Sequence, residues 1–449
     1  MRRIISLRPF ARSAIHFSPP QTLAFTFLIF ILGGTVLLKL PIATTEPISW
    51  MDAWFTATSA TTVTGLIVVD TGITYTLFGE MVIMFLMQSG GLGLMTFSIL
   101  ILMMLRKKIG LRQRILTQQS LNLNQTSIGG LVRLVKRLFI FSISIEAIAF
   151  GILCIKWIPE FGILGIKYSL FHSISAFNNA GFSLWENNLI NYVGDPLVNI
   201  VITALFITGG LGFTVLADVW DKRRFHKLSL HSKLMLVGTL IINVSALLAL
   251  FFLEYGNPET IGNFSFVDKL WGSYFQAVTP RTAGFNTLDI AEMTTPSILL
   301  MMLLMFIGAG SGSTGSGIKV TTFVVMILAT ISFLRGKSET TAFNRAIKPH
   351  TIVRALSIMM ISILLIFVAI FILTITEDAP FLVIAFEVIS AFGTVGLSMG
   401  ITPDLTFLGK IVIIVMMFIG RIGPLTIAFV FARQKSLSIR YPEEDIFTG

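Results

Sequence analysis

The chain has 449 residues, of which 54% are hydrophobic and only 12% charged, and its mean hydropathy is +0.85. That balance excludes a soluble globular protein and predicts an all-α polytopic membrane protein. The net charge of +10 does not mark a nucleic-acid binder, because 25 of the 33 Lys and Arg fall in five short segments, residues 1–19, 106–137, 221–233, 335–354 and 433–440. Sixteen of the 23 carboxylates fall in the alternate stretches. This is the positive-inside pattern repeated along the chain, and it predicts that both termini are cytoplasmic.

Arg2, Arg3, Arg8 and Arg12 precede the apolar run Thr22–Leu38. The run is long for a signal peptide and lacks a small-x-small exit site, so it reads as a first span held inside by those arginines. The string FTATSATTVTGL follows at Phe55–Leu66, then a second span at Met81–Leu105 and a basic segment. The next span, Leu138–Trp157, contains Glu146 and the single cysteine, Cys154, which excludes an intramolecular disulfide. Glu146 is a candidate intramembrane proton acceptor or an interhelical hydrogen-bond partner.

FHSISAFNNAGF at Phe171–Phe182 repeats the first string, and spans follow at Pro196–Trp220 and Leu234–Leu253. His172, in this string, reads as a hydrogen-bonding residue on a helix surface and not as a metal ligand. YFQAVTPRTAGF at Tyr274–Phe285 is the third copy; its Arg281 either anchors on a carboxylate such as Asp289 or Glu292, or weakens cation binding. The segment Ser297–Leu334 then runs 38 residues, against 25 for each of its three counterparts. Ile307–Lys319 in its middle is rich in Gly, Ser and Thr, which favour non-helical backbone, so two half-helices joined by an irregular loop are predicted. A span at Ile352–Ile375, the fourth string FEVISAFGTVGL at Phe386–Leu397 and a span at Phe407–Phe431 containing Arg421 complete the series. Arg421 lies mid-span, beside the predicted loop, where its guanidinium can hold loop carbonyls or repel a cation.

The four strings place Gly65, Gly181, Gly284 and Gly396 at intervals of 116, 103 and 112 residues. Each sits between apolar segments and reads as a re-entrant hairpin. Non-helical backbone at membrane depth is tolerated only where it is buried in protein or lines a wet path. Four such hairpins around one axis, each without a Cβ at the same point, can present backbone carbonyls to a dehydrated cation. The fold predicted is four span–hairpin–span repeats, eight spans in all, around one pseudo-fourfold pore. Residues 1–19 form a cytoplasmic N-terminus, 20–106, 107–221, 222–335 and 336–432 the repeats, and 433–449 a cytoplasmic tail. Glycines recur in the other second spans at Gly90, Gly91, Gly93, Gly209, Gly210, Gly212, Gly420 and Gly423, which supports the repeat independently.

Gly310–Gly315 matches G-x-G-x-x-G, but it follows no strand and lies in an apolar segment, so the dinucleotide-binding context fails. No Walker A, H-E-x-x-H, C-x-x-C or G-x-S-x-G motif occurs, and nothing suggests an enzyme.

On the four glycines, the broken helix and the late arginine, the chain resembles the Trk/Ktr/HKT superfamily of potassium transporters, closest to the bacterial Ktr membrane subunits. The resemblance covers almost the whole chain and implies potassium transport through a channel-like pore in the bacterial cell membrane. It implies that Gly65, Gly181, Gly284 and Gly396 are selectivity-filter glycines, with carbonyls supplied also by Val63, Thr64, Asn179, Ala180, Thr282, Ala283, Thr394 and Val395. Some sodium-favouring plant relatives carry serine at the first filter glycine; Gly65 favours potassium. The loop Gly308–Gly317, with Gly310, Gly312, Gly315 and the following Lys319, becomes an intramembrane gate beside Arg421. A homodimer is implied, docked on a separate cytosolic ring of nucleotide-binding RCK subunits. No cofactor is expected on this chain, and a nucleotide (ATP, ADP or NAD) only on that partner. The docking face is expected at Lys107–Arg137 and Arg433–Gly449. The Asn-Asn-Ala-Gly of the second copy and Pro280-Arg281 of the third make the pore less symmetric than a tetrameric channel. The rival reading is an alternating-access or symporting cation transporter, which also breaks helices at midplane sites; its repeats are usually two and inverted.

Overall fold

A computed structural model describes residues 19–93 and 131–431, together with Glu444. The N-terminal segment, the far half of the expected span Met81–Leu105, most of Lys107–Arg137 and the expected tail 433–449, apart from Glu444, lie outside the described residues.

Among the described residues, four helices are long and apolar enough to cross a membrane: α1 (Pro19–Leu38), α5 (Leu131–Phe161), α9 (Leu230–Glu254) and α13 (Pro349–Thr376). They coincide with the four first-type spans expected. Only 22–28% of each spanning stretch is buried within the protein. The rest, including Phe25, Ile148, Leu240 and Phe367, is an apolar outer surface suited to lipid.

Each of the four strings begins inside a short helix: α2 (Trp50–Thr62), α6 (Leu164–Phe177), α10 (Phe266–Val278) and α14 (Phe381–Gly393). Two of them start with a serine whose hydroxyl donates to an aspartate three residues on and accepts that aspartate's N–H: Ser49 with Asp52 and Ser265 with Asp268. A helix beginning at such a cap is fixed in register from its first turn. α3 (Thr71–Thr74) is one turn between α2 and α4.

The second-type spans depart from expectation. Only the third was predicted to break, yet three breaks are seen, each at or near the recurrent glycines. α7 (Pro196–Leu211) and α8 (Phe213–Lys222) meet at 94° around Gly212, whose φ is 99°. α15 (Phe407–Ile422) and α16 (Pro424–Phe431) meet at Gly423, φ 96°. In the third, α11 (Thr295–Phe306) and α12 (Val320–Leu334) flank the predicted irregular loop. α4 (Leu77–Gly91) ends just before Gly93, φ 82°, beyond which the chain is not described. A right-handed helix cannot pass through a residue held at positive φ, and glycine is the residue that sits there without strain. The glycines read as a sign of repetition are therefore also the break points. A two-strand hairpin, β1 (Thr341–Ala342) and β2 (Arg345–Ala346), caps the turn into α13.

The short helices and second-type helices pack in cyclic order, α4 on α6, α7 on α10, α11 on α14 and α15 on α2. Three of these four junctions carry a polar tie. Lys167 pairs with the buried Glu80 at 2.9 Å, the Tyr274 hydroxyl donates to Thr203 at 3.1 Å, and Lys410 pairs with Asp52 at 3.0 Å. The α11–α14 junction is apolar, built on Met301, Met305 and Phe386.

Lys167→Met strands the Glu80 carboxylate, which is 1% exposed, and is expected to lower stability by about 3 kcal/mol. The double variant Lys167→Met, Glu80→Met recovers most of that loss. Thermal unfolding of the purified protein in detergent reads both, and an equal loss in the single and double variants contradicts the assignment.

Candidate functional site: four glycine hairpins and an intramembrane loop

The chain leaves each short helix through a left-handed residue: Val63 (φ 59°), Asn179 (φ 58°), Thr282 (φ 68°) and Thr394 (φ 47°). Two residues later comes the glycine, again at positive φ: Gly65 (96°), Gly181 (69°), Gly284 (77°) and Gly396 (92°). Val63, Thr282 and Thr394 are β-branched, a side-chain type that avoids this region, so each hairpin holds about 1–3 kcal/mol of local strain. The same strain at four matching positions, about a hundred residues apart in sequence, marks a site under functional constraint.

The glycines close a ring. A Cβ placed on Gly65 falls 3.0 Å from the Cα of Gly181, one on Gly181 falls 2.8 Å from the Cα of Gly284, and one on Gly284 lands on the carbonyl of Val395. A Cβ on Gly396 falls 3.0 Å from the Cα of Gly65. No side chain fits at any of the four. The atoms each glycine faces include the carbonyl oxygens of Thr64, Ala180, Ala283 and Val395.

None of the carbonyls of the residues named for the filter accepts a hydrogen bond from the described residues, although all but Gly396 are buried. Buried carbonyls are almost always paired. The short helices, whose C-terminal ends lead into these hairpins, also direct the negative ends of their dipoles there. Converging oxygens and helix C-termini, with no cation of the protein's own bound to them, suit a positively charged guest.

The hairpins are held from behind by a residue type that the sequence reading passed over. The fifth position of the string is serine in three copies, Ser59, Ser175 and Ser390. Their carbonyls accept the N–H of Thr64, Ala180 and Val395 at 2.8, 2.8 and 2.9 Å. Ser59 Oγ also accepts the Gly65 N–H at 3.0 Å, and Ser175 Oγ donates to the Phe182 carbonyl at 2.8 Å. The third copy has Val278 there, and the bond shifts by one residue: the Thr279 carbonyl accepts from Ala283, and its hydroxyl donates to Phe285. Aligning the four strings position by position shows that serine; only the terminal glycine had been used.

Arg281 does not pair with Asp289 or Glu292 among the described residues. It is 6% exposed, and its Nε and Nη1 have no hydrogen-bond partner among the described residues, so the anchoring expected of it is not seen there. His172 lies inside the protein and not on a helix surface, bonded to the Tyr168 carbonyl at 2.8 Å and to Ser183 Oγ at 3.2 Å. Glu146 accepts from the Gln88 side-chain amide at 3.1 Å, and Asn178 donates to Gln88 at 2.6 Å. It thus serves as the interhelical partner that was one of its two readings.

The loop between α11 and α12 packs against the ring. Its ends pair at Ile307 and Ile318. The Gly310 and Thr314 N–H groups donate to the carbonyls of Gly210 and Gly209, at 2.8 and 3.2 Å, and the Gly312 carbonyl accepts from Phe213 at 2.8 Å. Lys319 Nζ donates to the Gly315 carbonyl at 3.0 Å. Arg421 reaches the loop as expected, donating to the Thr314 carbonyl and to Ser316 Oγ at 3.1 Å. Its second nitrogen was not foreseen: it donates to the carbonyls of Gly90 and Gly91, at the end of α4. One guanidinium therefore ties three repeats together. The loop is thus bonded both to the break of α7–α8 and to Arg421. Gly312, Ser313, Gly315, Gly317, Lys319 and Arg421 also line a cavity of about 170 Å³.

Residues 18–439 match the TrkH family, described as cation transport protein. The chain belongs to that family. It is 61% identical to Ktr system potassium uptake protein B of Bacillus subtilis over 436 residues, 97% of this chain and 98% of that protein. It is 40% identical to the potassium/sodium uptake protein NtpJ of Enterococcus hirae, over 96% of this chain and 97% of that one. The crystal structure of the potassium transporter TrkH from Vibrio parahaemolyticus superposes with a TM-score of 0.71 at 20% identity, covering 94% of this chain and 86% of that chain, and so shares the fold. Membership of the TrkH family makes the chain a membrane transporter and not an enzyme.

The serine positions supply a graded test. Ser59→Ala leaves the Gly65 N–H without its acceptor and Ser175→Ala removes a donor, each expected to destabilise by about 1–3 kcal/mol. Ser390→Ala, whose hydroxyl has no partner, is expected to be milder. Thermal unfolding in micelles ranks them, and three equal losses contradict the bonding described.

Proposed function

We propose that this protein takes up potassium through a channel-like pore whose selectivity filter is the ring of hairpins at Gly65, Gly181, Gly284 and Gly396. The observation that carries the reading is the set of carbonyls without donors among the described residues at Val63–Gly65, Asn179–Gly181, Thr282–Gly284 and Thr394–Gly396. A dehydrated potassium ion supplies what they lack, since carbonyl oxygens replace its hydration shell. The names of the relatives, potassium uptake protein and potassium/sodium uptake protein, agree with that guest.

The pore is pseudo-fourfold and the chain has eight spans: the four long helices and the four second-type segments beside them. The cyclic packing of short helices on second-type helices supports this arrangement. The repeats are 20–106, 107–221, 222–335 and 336–432. The α8–α9 and α12–α13 connections lie inside the cell with both termini, a reading supported by the basic stretches 221–233 and 335–354.

The loop Gly308–Gly317 is the gate. It lies against the filter hairpins and lines the neighbouring cavity, so an ion leaving the filter must pass it. Arg421 holds the closed form through charge-assisted bonds to loop carbonyls. The names Ktr system protein B, and protein D among other relatives, suggest a multi-component assembly. Accordingly this chain works as a homodimer on a cytosolic RCK ring that carries the nucleotide, docking through Lys107–Arg137 and Arg433–Gly449. Truncation after Arg433 tests the tail: reduced co-purification with such a ring is expected.

Gly65→Ser is expected to lower the potassium-over-sodium preference at least about tenfold, equivalent to about 1.4 kcal/mol of lost coordination. Growth of a potassium-uptake-deficient bacterium at low potassium, with and without added sodium, reads it. Unchanged growth and unchanged sodium inhibition remove the filter from this position. Arg421→Ala is expected to raise potassium flux several-fold in liposomes without any partner; wild-type flux from folded protein counts against the gate.

A further inference from the structure

Of the four hairpins, the second departs most from the others: the residues before Ala180-Gly181 are Asn178 and Asn179, where the others carry Thr62-Val63, Arg281-Thr282 and Gly393-Thr394. Asn179 contributes more than a backbone carbonyl. Its side-chain oxygen accepts the Thr314 hydroxyl at 2.7 Å, and its amide nitrogen donates to Thr282 Oγ1 at 3.4 Å. All three residues are buried, at 1%, 0% and 0% exposure.

Thr314 sits at the tip of the intramembrane loop and has three ties. Its hydroxyl goes to Asn179, its N–H goes to the Gly209 carbonyl at 3.2 Å, and its carbonyl accepts from Arg421. The adjacent Gly315 packs so closely on Thr282 Oγ1 that no Cβ fits between them. Gly317 stands beside Gly393 of the fourth hairpin, 3.5 Å from its Cα to a Cβ placed on Gly317. The loop therefore touches filter hairpins directly, and through Asn179 it does so by a buried hydrogen bond.

We infer that Asn179 is a positioning residue that couples the loop to the filter through Thr314, so that ion selectivity depends on where the loop stands. This rests on the loop being the gate. The physical reason lies in the backbone. Asn179 is held at φ 58°, a conformation that asparagine tolerates but that still needs support from its surroundings. That support comes from the two side-chain bonds. When the loop moves, Thr314 leaves, and of its side-chain bonds Asn179 retains only the longer one, to Thr282, besides its N–H bond to the Ala176 carbonyl. The second hairpin is then free to relax, and the carbonyls of Asn179 and Ala180 lose their fixed place in the ring. By linkage, an ion that orders the ring biases the loop towards the position that keeps the Thr314 bond. The loop thus has a reciprocal effect on the filter, beyond blocking the path below it.

The test is a double-mutant cycle on the full chain in liposomes, reading initial potassium and sodium influx separately. Thr314→Val keeps the shape of the side chain and removes the donor; Thr314→Ala removes it with less bulk and serves if the valine variant fails to insert. Each is expected to lower the potassium-to-sodium flux ratio several-fold, although Thr314 is not among the residues of the ring. Thr314→Ser, which keeps the hydroxyl, retains the wild-type ratio. Asn179→Ala lowers the ratio as well, and Asn179→Ala with Thr314→Val lowers it no further than the larger single effect. A wild-type ratio in both Thr314→Val and Thr314→Ala overturns the coupling. So does a double variant whose effect is the product of the two single effects. Arg421→Ala, run alongside, separates this failure from that of the gate: raised absolute flux with multiplicative ratios sinks only the coupling, whereas unchanged flux sinks the gate.

Discussion

Backbone carbonyls in a membrane interior must find a partner, and the rest of this structure follows from how the chain meets that demand. In the helices the demand is met within each segment. At the four hairpins it is not: the chain turns through two positive-φ residues, and the carbonyls between them are left without donors. Such groups are costly in an apolar setting, and the cost recurs at four points that meet in one ring. The glycines are what allow the hairpins to approach until those oxygens converge, since a Cβ at Gly181 would fall 2.8 Å from Gly284. The serine bonds behind Thr64, Ala180 and Val395, and the Thr279 bond behind Ala283, then fix each hairpin to the helix it leaves.

The same constraint shapes what surrounds the ring. A loop as irregular as Ile307–Lys319 can lie at this depth only if protein groups take up its N–H and C=O groups. The end of α7, the start of α8 and the guanidinium of Arg421 do so. Arg421 is itself a charge in an apolar region, and its bonds to Thr314, Ser316, Gly90 and Gly91 are what make it tolerable there. The loop and the arginine thus stabilise one another, and the break at Gly212 and the end of α4 at Gly91 are part of the arrangement, because helix ends have free carbonyls to offer.

Much of this was legible in the sequence. The first-type spans follow from apolar length alone, and the hairpins from the spacing of Gly65, Gly181, Gly284 and Gly396. The broken third segment follows from its excess of residues and its Gly and Ser content. Arg421 stood out because a cation in mid-span requires a partner. The breaks at Gly212 and Gly423 were not read, because a 25-residue apolar run looks continuous and a single glycine shifts helix stability by only about 1 kcal/mol. Backbone handedness, which decides the break, leaves no mark in composition. The pairing of Arg281 was misjudged on proximity in sequence: Asp289 and Glu292 lie eight and eleven residues away, but that spacing carries no information about direction across a hairpin. The tie between Asn179 and Thr314 joins residues 135 apart, and no local pattern foretells it.

The central claim is that the ring of donor-free carbonyls holds a dehydrated cation. Crystals of the full-length protein grown with rubidium or thallium, measured at the absorption edge of the ion, test it most directly. The account predicts anomalous peaks on the axis bounded by Thr64–Gly65, Ala180–Gly181, Ala283–Gly284 and Val395–Gly396, weakened when sodium replaces potassium-like ions. An empty axis in a well-ordered crystal, with the heavy ion bound elsewhere or not at all, contradicts it.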